Sequence, residues 1–195
     1  MATSTDAVDL VDGATVGNIA RAALFAALVA GFSYVSFPNP LVPTIPVTLQ
    51  VVGVFLAGIM LGPVWGTGAI SLYLAAGAVG IPVFANGSAG LGVLIGSPTL
   101  GYLWSYPVAA GVIGLVVHRG VDLRDYTEVG VPLLVGAMVA GTVVIYAMGT
   151  VGFAAIQNIE LVEAFTVSAL AFVPFEAVKI AAVIGILRRD SIAAV

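Results

Sequence analysis

Cysteine is absent from the 195-residue chain, and histidine occurs once. The first absence excludes disulfides, thiolate metal sites and cysteine nucleophiles, and the second excludes any site that needs two histidines. Charge is nearly as scarce. Charged residues make up 8% of the chain, against about 25% in soluble domains, so a soluble fold could not be covered. No GxxxxGK[ST] phosphate loop occurs, and the connections between apolar runs are too short for a nucleotide-binding domain. No basic cluster marks a nucleic-acid partner.

What is present is apolar. Hydrophobic residues make up 61% of the chain, and the mean hydropathy is +1.16. At about 20 residues per crossing, the length admits six spans. The expected fold is an all-α integral membrane protein of six transmembrane helices in the lipid bilayer. Residues 1–17 read as a mobile acidic N-terminal tail carrying Asp6, Asp9 and Asp12. Residues 18–189 form the six-helix domain, and residues 190–195 a C-terminal tail. The acidic tail does not match the basic start of a cleaved signal peptide.

The expected spans are 18–35, 47–61, 64–79, 100–117, 130–156 and 166–187. The first carries two stripes of small residues at four-residue spacing: Ala22, Ala26 and Ala30, and beside them Ala23, Ala27 and Gly31. Such stripes admit a close helix partner, although plain abundance of alanine gives the same pattern. Pro38, Pro40, Pro43 and Pro46 then enforce an extended loop. Gly62-Pro63 divides the second span from the third. Both are short for a membrane, which leaves room for a cavity. The glycine-rich stretch 80–101 contains Phe84, Asn86 and Gly87. Its glycines permit close approach to a ligand, while Asn86-Gly87 equally suits a tight turn. Tyr102 and Tyr106 share a helical face and either wall a pocket or join Trp104 in an interfacial belt. His118 ends the fourth span, where a helix dipole favours it. No catalytic constellation accompanies it.

The stretch 171–187 holds the only lysine in the chain. Glu176 and Lys179 are three residues apart, so they share a helical face about 4.5 Å apart along the axis. Each charge within a span costs roughly 2.5–3.5 kcal/mol, so such residues face the bundle interior. Two readings stay open: an internal ion pair, or a grip on a small polar ligand. In the second, Lys179 meets a ligand carboxylate, Glu176 accepts ligand N–H groups, and the Asn86 amide meets a carbonyl.

Five arginines set the orientation. Arg21, Arg119, Arg124, Arg188 and Arg189 all fall on one side of a six-span chain, which places both termini in the cytoplasm. Lys179 lies about 13.5 Å from Arg188 along a helix. That is close to the midplane of a ~30 Å hydrocarbon core, and the pocket opens outward.

Four segments together carry a resemblance: IPVTLQVVGVFLAGIMLGPVWG (residues 45–66), LYLAAGAVGIPVFANGSAGLGVLIG (72–96), PTLGYL (98–103) and VPFEAVK (173–179). In order and spacing they resemble the BioY family, the biotin-binding S components of energy-coupling factor (ECF) transporters. The resemblance implies an S-component-like bundle in the plasma membrane with an outward-facing pocket. It implies biotin as ligand, and docking on a transmembrane coupling subunit driven by two cytoplasmic ATPases. ATP would be hydrolysed by those partners, and the chain itself would be neither an enzyme nor a cofactor carrier. It implies that Glu176 meets the ureido group and Lys179 the valerate carboxylate. Asn86, Tyr102, Phe84 and Gly87 complete the expected ligand-binding set. An alanine face of the first helix, either Ala22, Ala26 and Ala30 or Ala23 and Ala27, would meet the coupling subunit. The family usually reads Pro-Gly-Asp where this chain has Pro174-Phe175-Glu176. Some members carry an arginine near the start of helix 4, where Leu103 and Trp104 stand here. Another vitamin, a purely structural ion pair and an intramembrane enzyme are the competing readings.

Overall fold

The computed structural model describes residues 12–38 and 45–189. Residues 1–11 of the acidic tail, Pro40 and Pro43 in the proline-rich loop, and the tail 190–195 lie outside the described residues. The first helix, α1, spans Gly13–Ser33 and is entered from Asp12 in an extended conformation. It therefore starts before the expected residue 18. Residues 13–17 contain no proline or charge to stop the helix, so the tail is shorter than its polar composition implied.

After α1, β1 (Ser36–Phe37) and β2 (Val47–Thr48) pair antiparallel, with Ser36 opposite Thr48 and Phe37 opposite Val47. This ladder closes the base of the proline-rich loop. The expected start of the second span at Val47 is thus corrected: Val47 and Thr48 are strand, and helix α2 occupies Gln50–Ala78.

α2 is not straight. Gly62 has φ 75 and ψ −176, a conformation open to glycine alone. Pro63 follows and cannot donate to the carbonyl four residues back. The chain reverses there. A Cβ on Gly66 would lie 2.8 Å from the Ala57 carbonyl oxygen, and the Gln50 amide reaches the Tyr73 hydroxyl. In an unbroken helix those last two residues would be about 35 Å apart. The element is a hairpin of two helical arms, 50–61 and 63–78, about 18 and 24 Å long. Among the described residues, five segments are long and apolar enough to cross a membrane, by length and composition alone. The reversal within α2 restores the expected six helices, two of them short.

The glycine-rich stretch is folded into short elements. It holds a 3-10 turn at Ala85–Gly87 and a short helix, α3, at Leu91–Gly96. α4 spans Leu100–His118 and α5 spans Val131–Gln157. They cross closely, since a Cβ on Gly101 would lie 2.3 Å from the Met148 carbonyl oxygen. The last span is in two pieces, α6 (Leu161–Ser168) and α7 (Val173–Leu187), joined by a 3-10 turn at Leu170–Phe172. Pro174 explains the turn. It has no N–H for the Leu170 carbonyl, and the Val173 N–H takes that acceptor instead. The helix begins at Leu161 rather than the expected 166, so most of the anticipated 157–165 connection is helical. α2 and α4 are largely buried; α1, α5 and the final span expose apolar surface suited to lipid.

The arginines gather at one end. Ala22, next to Arg21, packs with Leu61 and Ala69 beside the Gly62 reversal. The His118 ring bridges the Ile59 carbonyl oxygen and the Arg124 backbone N–H, each at 3.0 Å. Arg188 donates to the carbonyls of Thr127 (2.7 Å) and Val129.

Candidate ligand-binding site

The opposite end encloses a chamber of about 320 Å³, within the usual range for small-molecule sites. Its walls come from five places. β2 and the start of α2 supply Thr48 and Gln50, the glycine-rich loop Phe84 and Asn86, α4 Tyr102 and Tyr106, α5 Tyr146, and the final span Phe172, Glu176 and Lys179.

Glu176 and Lys179 are 4% and 6% exposed. Lys179 Nζ donates to Glu176 Oε1 at 2.7 Å, and the Tyr146 hydroxyl donates to the same oxygen at 2.9 Å. Glu176 Oε2 is buried and has no hydrogen-bond partner among the described residues. An ammonium has three donors, and one is used here. The two residues are therefore an ion pair in contact, and the pair keeps unspent hydrogen-bonding capacity at a cavity wall. Pro174 opens α7 and Glu176 lies in its first turn, where the helix dipole favours a carboxylate.

Tyr102 lines the chamber with its ring, while its hydroxyl donates to the Ser168 carbonyl at 2.6 Å. The ring meets Tyr146 edge-on at 6.0 Å, and Tyr146 lies 6.1 Å from Phe172. Tyr106 is on the same wall, as the shared helical face implied. Trp104 is on the other side of α4, half exposed, and donates to the Leu94 carbonyl at 2.9 Å. Phe84 is buried and stands edge-on to Tyr73 at 5.6 Å. Gly77 makes room for it: a Cβ there would lie 2.1 Å from the ring tip. Asn86 has φ 59 and is exposed at the rim. Its Oδ1 accepts from the Ser36 hydroxyl at 2.8 Å, leaving the amide N–H groups as donors.

Gly87 does not line the chamber. It has φ 72 and closes the turn through its N–H to the Phe84 carbonyl. The turn and pocket readings of Asn86-Gly87 thus divide between the two residues. Phe175 is exposed on the outside of α7, so its departure from the family pattern leaves the chamber wall untouched.

The alanine stripes separate clearly. Ala22 and Ala26 are buried, with Ala22 packed against Leu61 and Ala69 of α2, and Ala30 is partly buried. That stripe is an internal packing face and cannot be presented to a partner, which corrects one of the two expected faces. Ala23, Ala27 and Gly31 are exposed.

Thr48, Gln50, Tyr146 and Phe172 are among the wall residues that the sequence does not single out. Thr48 donates to Gln50 Oε1 at 2.8 Å, and Gln50 Nε2 donates to Tyr73. The available signal was isolated polarity: Gln50 heads an otherwise apolar run, and Tyr146 sits alone within VVIYAMG.

A family model for the BioY family matches residues 3–193. The chain belongs to the BioY family. It is 40% identical over 144 residues to a biotin transporter BioY of Rhodobacter capsulatus, covering 72% of this chain and 71% of that protein. It is 32% identical to a biotin transporter BioY of Rhizobium etli, covering 86% of this chain and 90% of the relative. The fold matches the crystal structure of an S-component for biotin from an ECF-type ABC transporter, with a TM-score of 0.81 and 24% identity. That match covers 92% of this chain and 93% of the other.

Proposed function

We propose that the chain is the biotin-capturing S component of an ECF transporter. The observation that carries this reading is the buried, unpartnered Oε2 of Glu176 beside Lys179 on one chamber wall. Biotin has a ureido ring at one end, with N–H donors and a carbonyl, and a carboxylate at the other. Glu176 Oε2 takes a ureido N–H, the Asn86 amide takes the ureido carbonyl, and Lys179 takes the carboxylate. Phe84, Tyr102, Tyr146 and Phe172 cover the apolar middle. The two ends of biotin are far apart, whereas Lys179 and Glu176 touch at 2.7 Å. On binding, Lys179 therefore swings away on its flexible four-carbon stem while Tyr146 keeps Glu176 in place.

The gathering of five arginines at the end away from the chamber supports cytoplasmic termini and an outward-facing chamber in the plasma membrane. Membership of the BioY family supports uptake driven by ATP that two partner ATPases hydrolyse and a coupling subunit transmits, and the chain itself carries no phosphate-binding loop. The exposed Ala23, Ala27 and Gly31 face suits a close helix contact with that subunit.

Titration of the purified protein with labelled biotin tests the reading. The expected result is that the parent binds and a folded Lys179→Ala variant does not. Equal binding by both would show that the chamber assignment is wrong.

A further inference from the structure

The charge of the occupied chamber can be summed from the whole sequence. The chain has six Lys and Arg residues. Arg21, Arg119, Arg124, Arg188 and Arg189 lie at the far end, and Lys179 is the sixth. The ionisable groups facing the pair come from every wall: Lys179 and Glu176 themselves on α7, Tyr102 and Tyr106 on α4, and Tyr146 on α5. β2, α2 and the glycine-rich stretch offer only uncharged polar side chains to the chamber: Thr48, Gln50, Asn86, Ser88, Ser97 and Thr99. Residues 39–44, NPLVPT, contain no ionisable side chain. The protein's own side chains therefore balance in the chamber, one Lys179 against one Glu176.

An anionic ligand upsets this balance. Its carboxylate adds a second negative charge, and no second cation can reach it. Glu176 and Lys179 are almost fully buried, and an uncompensated charge in such surroundings is expensive. We propose that the chamber binds a carboxylate ligand together with one proton, so that the occupied site stays neutral. This rests on the biotin reading above. The proton comes from solvent and forms one O–H bond on a carboxyl group within the trio of Glu176, Lys179 and ligand. Charge balances: one anion and one proton enter a neutral site and leave it neutral.

The affinity consequence has a definite sign. Ordinary carboxyl groups are ionised in water above about pH 4, so the free ligand is an anion at neutral pH. A one-proton linkage then raises Kd toward tenfold for each pH unit, and binding is tightest at the acidic end. A ligand with an uncharged tail, such as biotin amide, needs no proton. Glu176→Gln leaves Lys179 as a lone positive charge that the ligand carboxylate neutralises without a proton.

The experiment is calorimetric titration of the protein in nanodiscs with biotin and with biotin amide at pH 6, 7 and 8. Two buffers of different ionisation enthalpy and two salts, sodium and potassium chloride, complete the set. For the parent, Kd for biotin is expected to rise toward about 100-fold from pH 6 to pH 8, with one proton taken up per biotin. Biotin amide, and biotin on the Glu176→Gln variant, are expected to show a flat Kd and no uptake. Biotin binding with a flat Kd and no uptake in the parent overturns proton coupling and leaves the biotin reading intact. A Kd that follows sodium rather than pH overturns it equally. Absence of biotin binding at every pH removes the biotin reading, and this inference with it.

Discussion

Replacing Lys179 by methionine separates the stabilising role of the ion pair from its ligand role. Methionine keeps an unbranched stem of similar length and deletes the charge. Glu176, 4% exposed, then keeps only the Tyr146 hydroxyl as a donor. Removing one partner of a buried pair costs about 3–5 kcal/mol, and the retained Tyr146 bond places the expected loss near 3. For a chain of 150–250 residues each kcal/mol shifts Tm by about 2–4 °C, so a fall of about 6–12 °C is expected. The double variant Lys179→Met, Glu176→Gln removes the orphaned charge as well. A glutamine oxygen still accepts from Tyr146, so the double variant should recover to within about 4 °C of the parent. Both variants should lose biotin binding. Thermal unfolding of the protein in nanodiscs, with biotin titration on the same samples, reads both effects. A double variant no more stable than Lys179→Met would refute the coupling of the two charges. A double variant that binds biotin like the parent would refute their role at the ligand.

Three further outcomes follow from single contacts. Tyr146→Phe keeps the ring packing against Tyr102 and Phe172 but deletes a charge-assisted hydrogen bond worth about 1.5–3 kcal/mol. Biotin affinity should fall about 10-fold or more, read by titration, with the fold retained. Gly77→Val would drive Phe84 off the chamber wall, because even a Cβ meets its ring at 2.1 Å. Binding should be lost, and parent-like affinity would show that Phe84 is no part of the site. His118→Ala leaves the Ile59 carbonyl and the Arg124 N–H without their shared partner. At about 1–3 kcal/mol per unsatisfied group, a Tm loss of at least about 4 °C is expected, with biotin affinity unchanged.

The sequence is most legible where physics leaves one solution. A charge within an apolar run must face inward, and Glu176 and Lys179 do. Gly62-Pro63 must break a helix, and it turns the chain back on itself. Side chains at i and i+4 must share a face, which puts Tyr102 and Tyr106 on one wall. Legibility fails where the answer depends on a partner distant in sequence. Nothing local to Ala22 says that Leu61 and Ala69 will cover it while Ala23 stays bare. Nothing near Tyr146 says that a carboxylate 30 positions later will accept its hydrogen bond. The β1–β2 ladder escapes notice because two residues per strand carry no periodicity, and prolines nearby argue for irregular chain.

α4 resolves a difficulty that the broken helices create. Backbone groups within a membrane must be satisfied internally, yet both α2 and the final span interrupt their helical bonding. Pro63 leaves the Ile59 carbonyl without its helical donor, and the His118 ring supplies one. The Phe172 N–H bonds to Ala169 rather than Ser168, and the Tyr102 hydroxyl takes the Ser168 carbonyl. Both substitutes project from α4, one from each end of the helix. The same helix therefore makes the hairpin reversal tolerable at the arginine-rich end and holds the α6–α7 break open above Glu176 at the other. That second break lets the chain bend over the chamber while α7 restarts at Val173, with Pro174 and Glu176 in its first turn. The site depends on helix breaks, and the breaks depend on α4. Substitutions at Tyr102 should consequently disturb ligand binding through the backbone of the final span, even though the Tyr102 hydroxyl is already spent on Ser168.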